Sequence, residues 1–218
     1  MGEGAVSLRS LTLPRLYPIV DAGLLGSRRA GVEDFARSLL DAGVTLLQFR
    51  DKSSAPSDVL RNAALIREVF AWEKARLIMN DRADLALLAG WDGVHVGQGD
   101  LSPEDARQVV GARRIVGVST HTDEQVRLAE LSCADYVAVG PVFATGTKVD
   151  AEPVIGLEGV MRARGLTAKP IVAIGGITRA NAKSVMDAGA DSVAVISALL
   201  VEGEPVAKVA GDFLDLLR

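Results

Sequence analysis

Short apolar segments and helix-like segments alternate along this chain without a break from Leu13 onward, and that alternation restricts its fold more than any other feature. Residues 16–20, 44–49, 76–79, 93–96, 114–118, 134–139, 170–174 and 191–195 are short and apolar, as strands of a buried parallel sheet are. Between them, residues 32–41, 56–72, 82–89, 103–110, 123–131, 157–164, 179–188 and 205–217 read as helices, with apolar residues returning at helical spacing in the first of them at Val32, Phe35, Ala36, Leu39 and Leu40. Punctuation agrees with the pattern. Gly43 stands where the first of these helices must stop, and Ser54 or Ser57 is at hand near the start of the second. Ser102 precedes Pro103, with Asp105 three residues on, which marks a helix start. Eight strand-plus-helix units in 218 residues predict an α/β fold: a single (β/α)8 TIM barrel over residues 13–218, with residues 1–12 as a short, loosely tethered N-terminal extension. An open, doubly wound sheet shares the alternation, but the count and the length favour closure.

Half the chain is hydrophobic while aromatics make up only 4%, so the apolar content suits packed strands and helices better than an aromatic binding surface. A net charge of -4 with no basic cluster argues against nucleic acid as a partner. No apolar run reaches the roughly 20 residues that cross a bilayer, so no membrane is expected. Cys133 is the sole cysteine, which rules out an internal disulfide and suits a reducing cytoplasm; nothing around it marks a nucleophile, and it reads as a small buried residue.

A barrel of this kind carries its chemistry at the C-terminal ends of its strands. In the second strand Leu46, Gln48 and Arg50 share one face, and Lys52 follows as the strand runs out. An amide and two cations at a barrel mouth suit a polyanionic ligand with a hydrogen-bonding head. The third strand ends in Asn80-Asp81, the fourth leads to Asp100 and the fifth to Ser119. Asp81 and Asp100 form a pair of carboxylates suited to one Mg²⁺ completed by water and a substrate phosphate, although each alone reads as well as a helix cap. Thr145-Gly146-Thr147-Lys148 reads as a flap offering two hydroxyls and an ammonium to a second anion. Gly175-Gly176, with Thr178 opening a helix, and Ile196-Ser197 after the eighth strand predict a phosphate site between the last two strands. His95 and His121 have no metal-ligand spacing and read as packed or hydrogen-bonding groups.

Seven motifs in order, L-Y-P-I-V-D, Q-F-R-D-K, N-D-R, H-V-G-Q-G-D, G-V-S-T-H-T, G-P-V-F-A-T-G-T-K and I-G-G-I, resemble those of the thiamine-phosphate synthase family, from about Leu16 to Ser197. The resemblance implies a Mg²⁺-dependent transferase that joins 4-amino-2-methyl-5-hydroxymethylpyrimidine diphosphate to 4-methyl-5-(2-hydroxyethyl)thiazole phosphate. It implies that Gln48, Arg50, Lys52 and Asn80 hold the pyrimidine diphosphate and that Asp81 and Asp100 bind Mg²⁺. Ser119 would lie by the reacting groups, Thr145 and Thr147 would face the thiazole, and Lys148 would reach the diphosphate. Gly176, Ile196 and Ser197 would bind the thiazole phosphate, and Arg50, Ser119 and Lys148 would carry the catalysis. Phe49 and Gly146 depart from the commoner residues of the family without removing a functional group. The partners implied are the two small-molecule substrates; a homodimer is admitted, with nothing in the sequence to decide it. A thiazole tautomerase-like relative and a non-enzymatic phosphate-ligand sensor stand as the alternatives.

Overall fold

The computed structural model describes residues 11–146 and 152–218. Among them, eight parallel strands close into a barrel in sequence order: β1 (Leu16–Asp21), β2 (Leu46–Arg50), β3 (Arg76–Asn80), β4 (Gly93–Val96), β5 (Ile115–Thr120), β6 (Tyr136–Val139), β7 (Ile171–Ala173) and β8 (Ser192–Val195), with β8 pairing back onto β1. The helices are α1 (Ala22–Ser27), α2 (Val32–Asp41), α3 (Pro56–Val69), α4 (Ala83–Leu88), α5 (Pro103–Val110), α6 (Asp123–Leu131), α7 (Gly156–Leu166), α8 (Ala182–Asp187) and α9 (Val206–Leu216), with a 3₁₀ turn over Ser197–Leu199. No helix among the described residues is long and apolar enough to cross a membrane.

The period of two along each strand splits the core into two shells. Side chains facing outward, such as Leu47 and Phe49, pack beneath the helices, whereas Tyr17, Leu46, Ile78, Tyr136, Ala138, Val172 and Ala194 fill the inside of the barrel. Leu13 joins the inner shell, Leu11 packs against it, and the carbonyl of Thr12 accepts from Arg76 at 2.7 Å, so the chain is tied to the barrel from the first described position. The rest of the expected leader, residues 1–10, lies outside the described residues.

Several ends differ from the expectation, each for a local reason. Val44 is not part of β2: its N–H closes onto the Leu39 carbonyl at 3.1 Å beyond Gly43 at φ 88°, so it belongs to the cap of α2. The helix expected to reach Trp72 ends at Val69, and Trp72 stands in solvent at 96% exposure. Neither Ser54 nor Ser57 caps α3, whose N-cap is Ala55; the Ser54 N–H is bonded instead to the Asp51 carboxylate. The helix expected from residue 179 starts only at Ala182, because Asn181 turns the chain by accepting from the Thr178 N–H and donating to the Gly176 carbonyl. Cys133 is exposed rather than buried: it sits in the turn between α6 and β6, where its backbone N–H goes to Glu104 and its carbonyl to Arg107. Partial desolvation and the charge of the nearby Glu104 hold its thiol above the usual range, which fits an inert cysteine.

Candidate active site

The face begun by Leu46 continues as expected: Gln48 is buried inside the barrel, and Arg50 reaches its mouth. Arg50 is held there by an ion pair with Asp21, the last residue of β1. Asp21 also accepts the Leu24 N–H at 2.8 Å, so one carboxylate caps α1 and orients a guanidinium. β3 brings Asn80 to the same rim, in register with His95 of β4. Asp81, next in the chain, adopts φ 60°, a conformation uncommon outside glycine but within reach of Asp. Its N–H is fixed on the His95 carbonyl at 2.7 Å, and its carboxylate meets both the Lys52 ammonium and the Asp100 carboxyl.

The two carboxylates divide their titration. Burial raises the pKa of Asp81, and the Asp100 hydrogen bond and charge add to that against the pull of Lys52. Asp100 is also raised by burial, but the Asp81 hydrogen bond, the Gly97 N–H at 2.8 Å and the Lys52 charge leave it below its ordinary value. Asp81 is therefore the member that keeps a proton longer, as expected when two like charges share a site.

A cavity of about 560 Å³ opens at this end of the barrel. Gln48, Arg50, Asn80, Ser119, Thr145, Gly176, Ile196 and Ser197 all line it. Lys52, Asp81 and Asp100 gather beside its rim, next to the lining segment Gly97–Gly99, rather than in its wall. Thr147 and Lys148, half of the expected flap, lie outside the described residues. The cavity's far wall is the predicted phosphate end. Gly175 and Gly176 have φ 90° and 66°, and a Cβ on Gly176 would stand 2.6 Å from the Ala144 carbonyl oxygen. Both positions therefore need glycine for conformation and for the close approach of the loop after β6. Because α8 starts late, no helix N-terminus follows the glycines directly; Gly175-Gly176 and the turn opened by Ser197, which follow the neighbouring strands β7 and β8, both line the cavity.

Residues given no ligand-binding role in the sequence complete the floor, among them His95 and His121, which are hydrogen-bonded as expected. Tyr17 and His95 line the cavity, and Tyr136 lies behind them. The Gln98 side chain donates to the Ser119 carbonyl at 2.7 Å. His121 also faces the cavity, its Nδ1 at 2.5 Å from the Gly140 carbonyl.

The model of the family described as thiamine monophosphate synthase matches residues 16–199. The chain belongs to that family. It is 51% identical to the thiamine-phosphate synthase of Koribacter versatilis (strain Ellin345) over 95% of this chain and 98% of that one. Identity to the thiamine-phosphate synthase of Chloroflexus aurantiacus is 42%, over 88% of each. Among solved structures, the thiamine phosphate pyrophosphorylase from Pyrococcus furiosus superposes with a TM-score of 0.82 at 32% identity, covering 94% of this chain and 95% of that one. The fold and the enzyme class expected from the sequence are those of the family.

Proposed function

We propose that the chain condenses 4-amino-2-methyl-5-hydroxymethylpyrimidine diphosphate with 4-methyl-5-(2-hydroxyethyl)thiazole phosphate to give thiamine monophosphate and diphosphate. The observation that carries this reading is one cavity with two ends that suit anions: Arg50, with Lys52 beside the rim, at one, and the Gly175-Gly176 turn with Ser197 at the other. The buried Gln48 and Ser119 and the half-buried Asn80 line the cavity with amide and hydroxyl groups, where a heteroaromatic ring has to be oriented.

The reaction asks for a leaving group to be stabilised and two rings to be aligned, which is work for electrostatics and positioning more than for a strong base. Arg50 and Lys52 offset charge on the departing diphosphate, joined on sequence grounds by Lys148. Gln48 and Asn80 orient the pyrimidine, Ser119 donates beside the reacting carbon, and Thr145 with Thr147 borders the thiazole. The carboxylate pair suits Mg²⁺: hard oxygen donors stand together beside the Lys52 ammonium, and no cluster of three or more His, Cys, Asp or Glu builds a closed cage among the described residues. Asp81 and Asp100 would hold the ion, whose charge would neutralise diphosphate oxygens as they leave. Residues 13–218 act as one catalytic domain, and the lone cysteine accords with a reducing cytoplasm.

Incubation with both substrates and Mg²⁺ tests the reading: thiamine monophosphate and diphosphate should appear in equal amounts. Binding of either substrate without product would favour a sensor, and isomerisation of a thiazole without condensation would favour the tautomerase-like alternative. A second expectation concerns the phosphate end. Gly176→Val places a branched side chain where even a Cβ has no room and where φ is positive. In a folded variant the affinity for thiazole phosphate should fall at least about tenfold, the equivalent of ~1.4 kcal/mol, with pyrimidine diphosphate binding little changed. Calorimetric titration of each substrate reads this directly, and an unaltered thiazole-phosphate affinity would move the phosphate site elsewhere.

A further inference from the structure

Five side chains from five strands form an unbroken hydrogen-bonded chain through the barrel under the cavity floor. Gln48 Nε2 donates to Tyr17 Oη at 3.2 Å, Tyr17 Oη meets Tyr136 Oη at 3.0 Å, Tyr136 Oη meets His95 Nδ1 at 2.9 Å, and His95 Nε2 meets Ser119 Oγ at 2.9 Å. All five are buried. The rings are packed as well as bonded: Tyr17 and Tyr136 sit edge to face, and His95 stacks on Tyr136 with 19° between the planes. Tyr136 reaches across only because β5 carries Gly117, where a Cβ would stand 2.0 Å from the phenol ring. Burial holds both phenols well above their usual range, so each keeps its single proton.

Counting those protons fixes the direction of every bond. Tyr17 accepts from Gln48 and so must give its own proton to Tyr136. Tyr136, having accepted, gives its proton to His95 Nδ1. A neutral imidazole then carries its proton on Nε2 and donates it to Ser119 Oγ, which leaves the Ser119 hydroxyl proton for an acceptor in the cavity. Were Nδ1 also protonated, Tyr136 would receive two donors and its own buried proton would be stranded, a loss of the kind that strongly disfavours a buried arrangement. Gln48 and Ser119 are both ligand-facing groups in the proposed function. We infer that Tyr17, Tyr136 and His95 are positioning residues that couple these two groups, so that the orientation of the Gln48 amide dictates whether Ser119 meets the substrate as a donor.

The inference rests on the proposed function only in taking Gln48 and Ser119 as substrate-facing, and its test uses the free protein without turnover. Nitrogen-15 spectra of histidine-labelled protein near neutral pH report which ring nitrogen carries a proton. His121, whose Nδ1 meets the Gly140 carbonyl, serves as a reference of the opposite tautomer, and a His121→Asn variant assigns the two sets of signals. His95 should be in the Nε2–H form. Gln48→Glu replaces the donor by a carboxylate that only accepts, so Tyr17 must turn its proton toward it and the whole chain must reverse. His95 should then change from predominantly Nε2–H to predominantly Nδ1–H, the signal passing from position 48 through the two tyrosines. Adding Tyr17→Phe to Gln48→Glu cuts the chain while keeping the new charge, and His95 should return to Nε2–H. An Nδ1–H form in the unmodified protein would overturn the assigned polarity, even if Gln48→Glu failed to fold. An unmoved tautomer in Gln48→Glu, or one that stays switched after Tyr17→Phe, would show that position 48 acts through its field or not at all.

Discussion

Arg50→Ala should cut turnover by roughly a hundredfold or more, the scale of losing one preorganised electrostatic stabiliser. The same substitution should also destabilise the fold, and the two effects must be separated. Arg50 is the partner of Asp21, a carboxylate only 7% exposed, and removing the guanidinium leaves that charge buried and uncompensated. Breaking such a pair costs about 3–5 kcal/mol, a large share of the ~5–15 kcal/mol that keeps a domain folded. Asp21→Asn removes the stranded charge while an amide oxygen can still cap α1 through the Leu24 N–H. The double variant, Arg50→Ala with Asp21→Asn, should therefore regain most of the lost stability in urea unfolding and none of the lost turnover. Thiazole-phosphate affinity should stay near normal in both, since that phosphate is assigned to the opposite end of the cavity. Recovery of activity in the double variant would mean that Arg50 merely balances Asp21.

That ion pair also shows where sequence reasoning stopped. Inward-facing residues two apart placed Gln48 and Arg50 correctly on β2, and the same rule applied to β1 puts Tyr17, Ile19 and Asp21 on one face. No local signal marks the role of Asp21, because its partner is 29 residues away and its helix, α1, is hidden by Gly23 and Gly26, which weaken a helical pattern. Tyr136 looked like one more apolar residue of a buried strand. Its role depends on a missing side chain at Gly117 and on an imidazole and a phenol 41 and 119 residues away, none of which leaves a local mark. By contrast, Asp81 and Asp100 could be paired in advance, because they follow strands that are neighbours in any sequentially wound barrel. The glycines after β7 were legible for a similar reason: the requirement for positive φ is written in the residue type. The start of α8 was not, since Asn181 overrides the helical pattern by bonding to backbone on both sides of itself.

The metal prediction follows from the same carboxylate pair. Two carboxylates are too few to strip Mg²⁺ of its water, so the free protein should bind the ion weakly and much more tightly once a pyrimidine diphosphate contributes oxygens. Coupling is reciprocal: Mg²⁺ must tighten diphosphate binding by the same factor, expected at about ten- to a hundredfold. Protons enter with a definite sign. Asp81 holds its proton above the usual carboxylate range, chiefly through burial and then through Asp100, while Asp100 stays ionised to lower pH. Mg²⁺ has to displace the Asp81 proton and Lys52 from that carboxylate, so its affinity should fall as pH falls through the raised Asp81 range, and binding there should release protons. Asp81→Asn suits the test because Asn tolerates the positive φ at this position, so loss of charge is not confounded by backbone strain. It should erase most of the coupling and the proton release while leaving thiazole-phosphate binding intact, and Asp100→Asn should erase the coupling likewise. Calorimetric titration of Mg²⁺ with and without a non-reactive pyrimidine diphosphate, in two buffers of different protonation enthalpy, measures both quantities. Equal Mg²⁺ affinity in the presence and absence of the diphosphate would remove the two aspartates from this role.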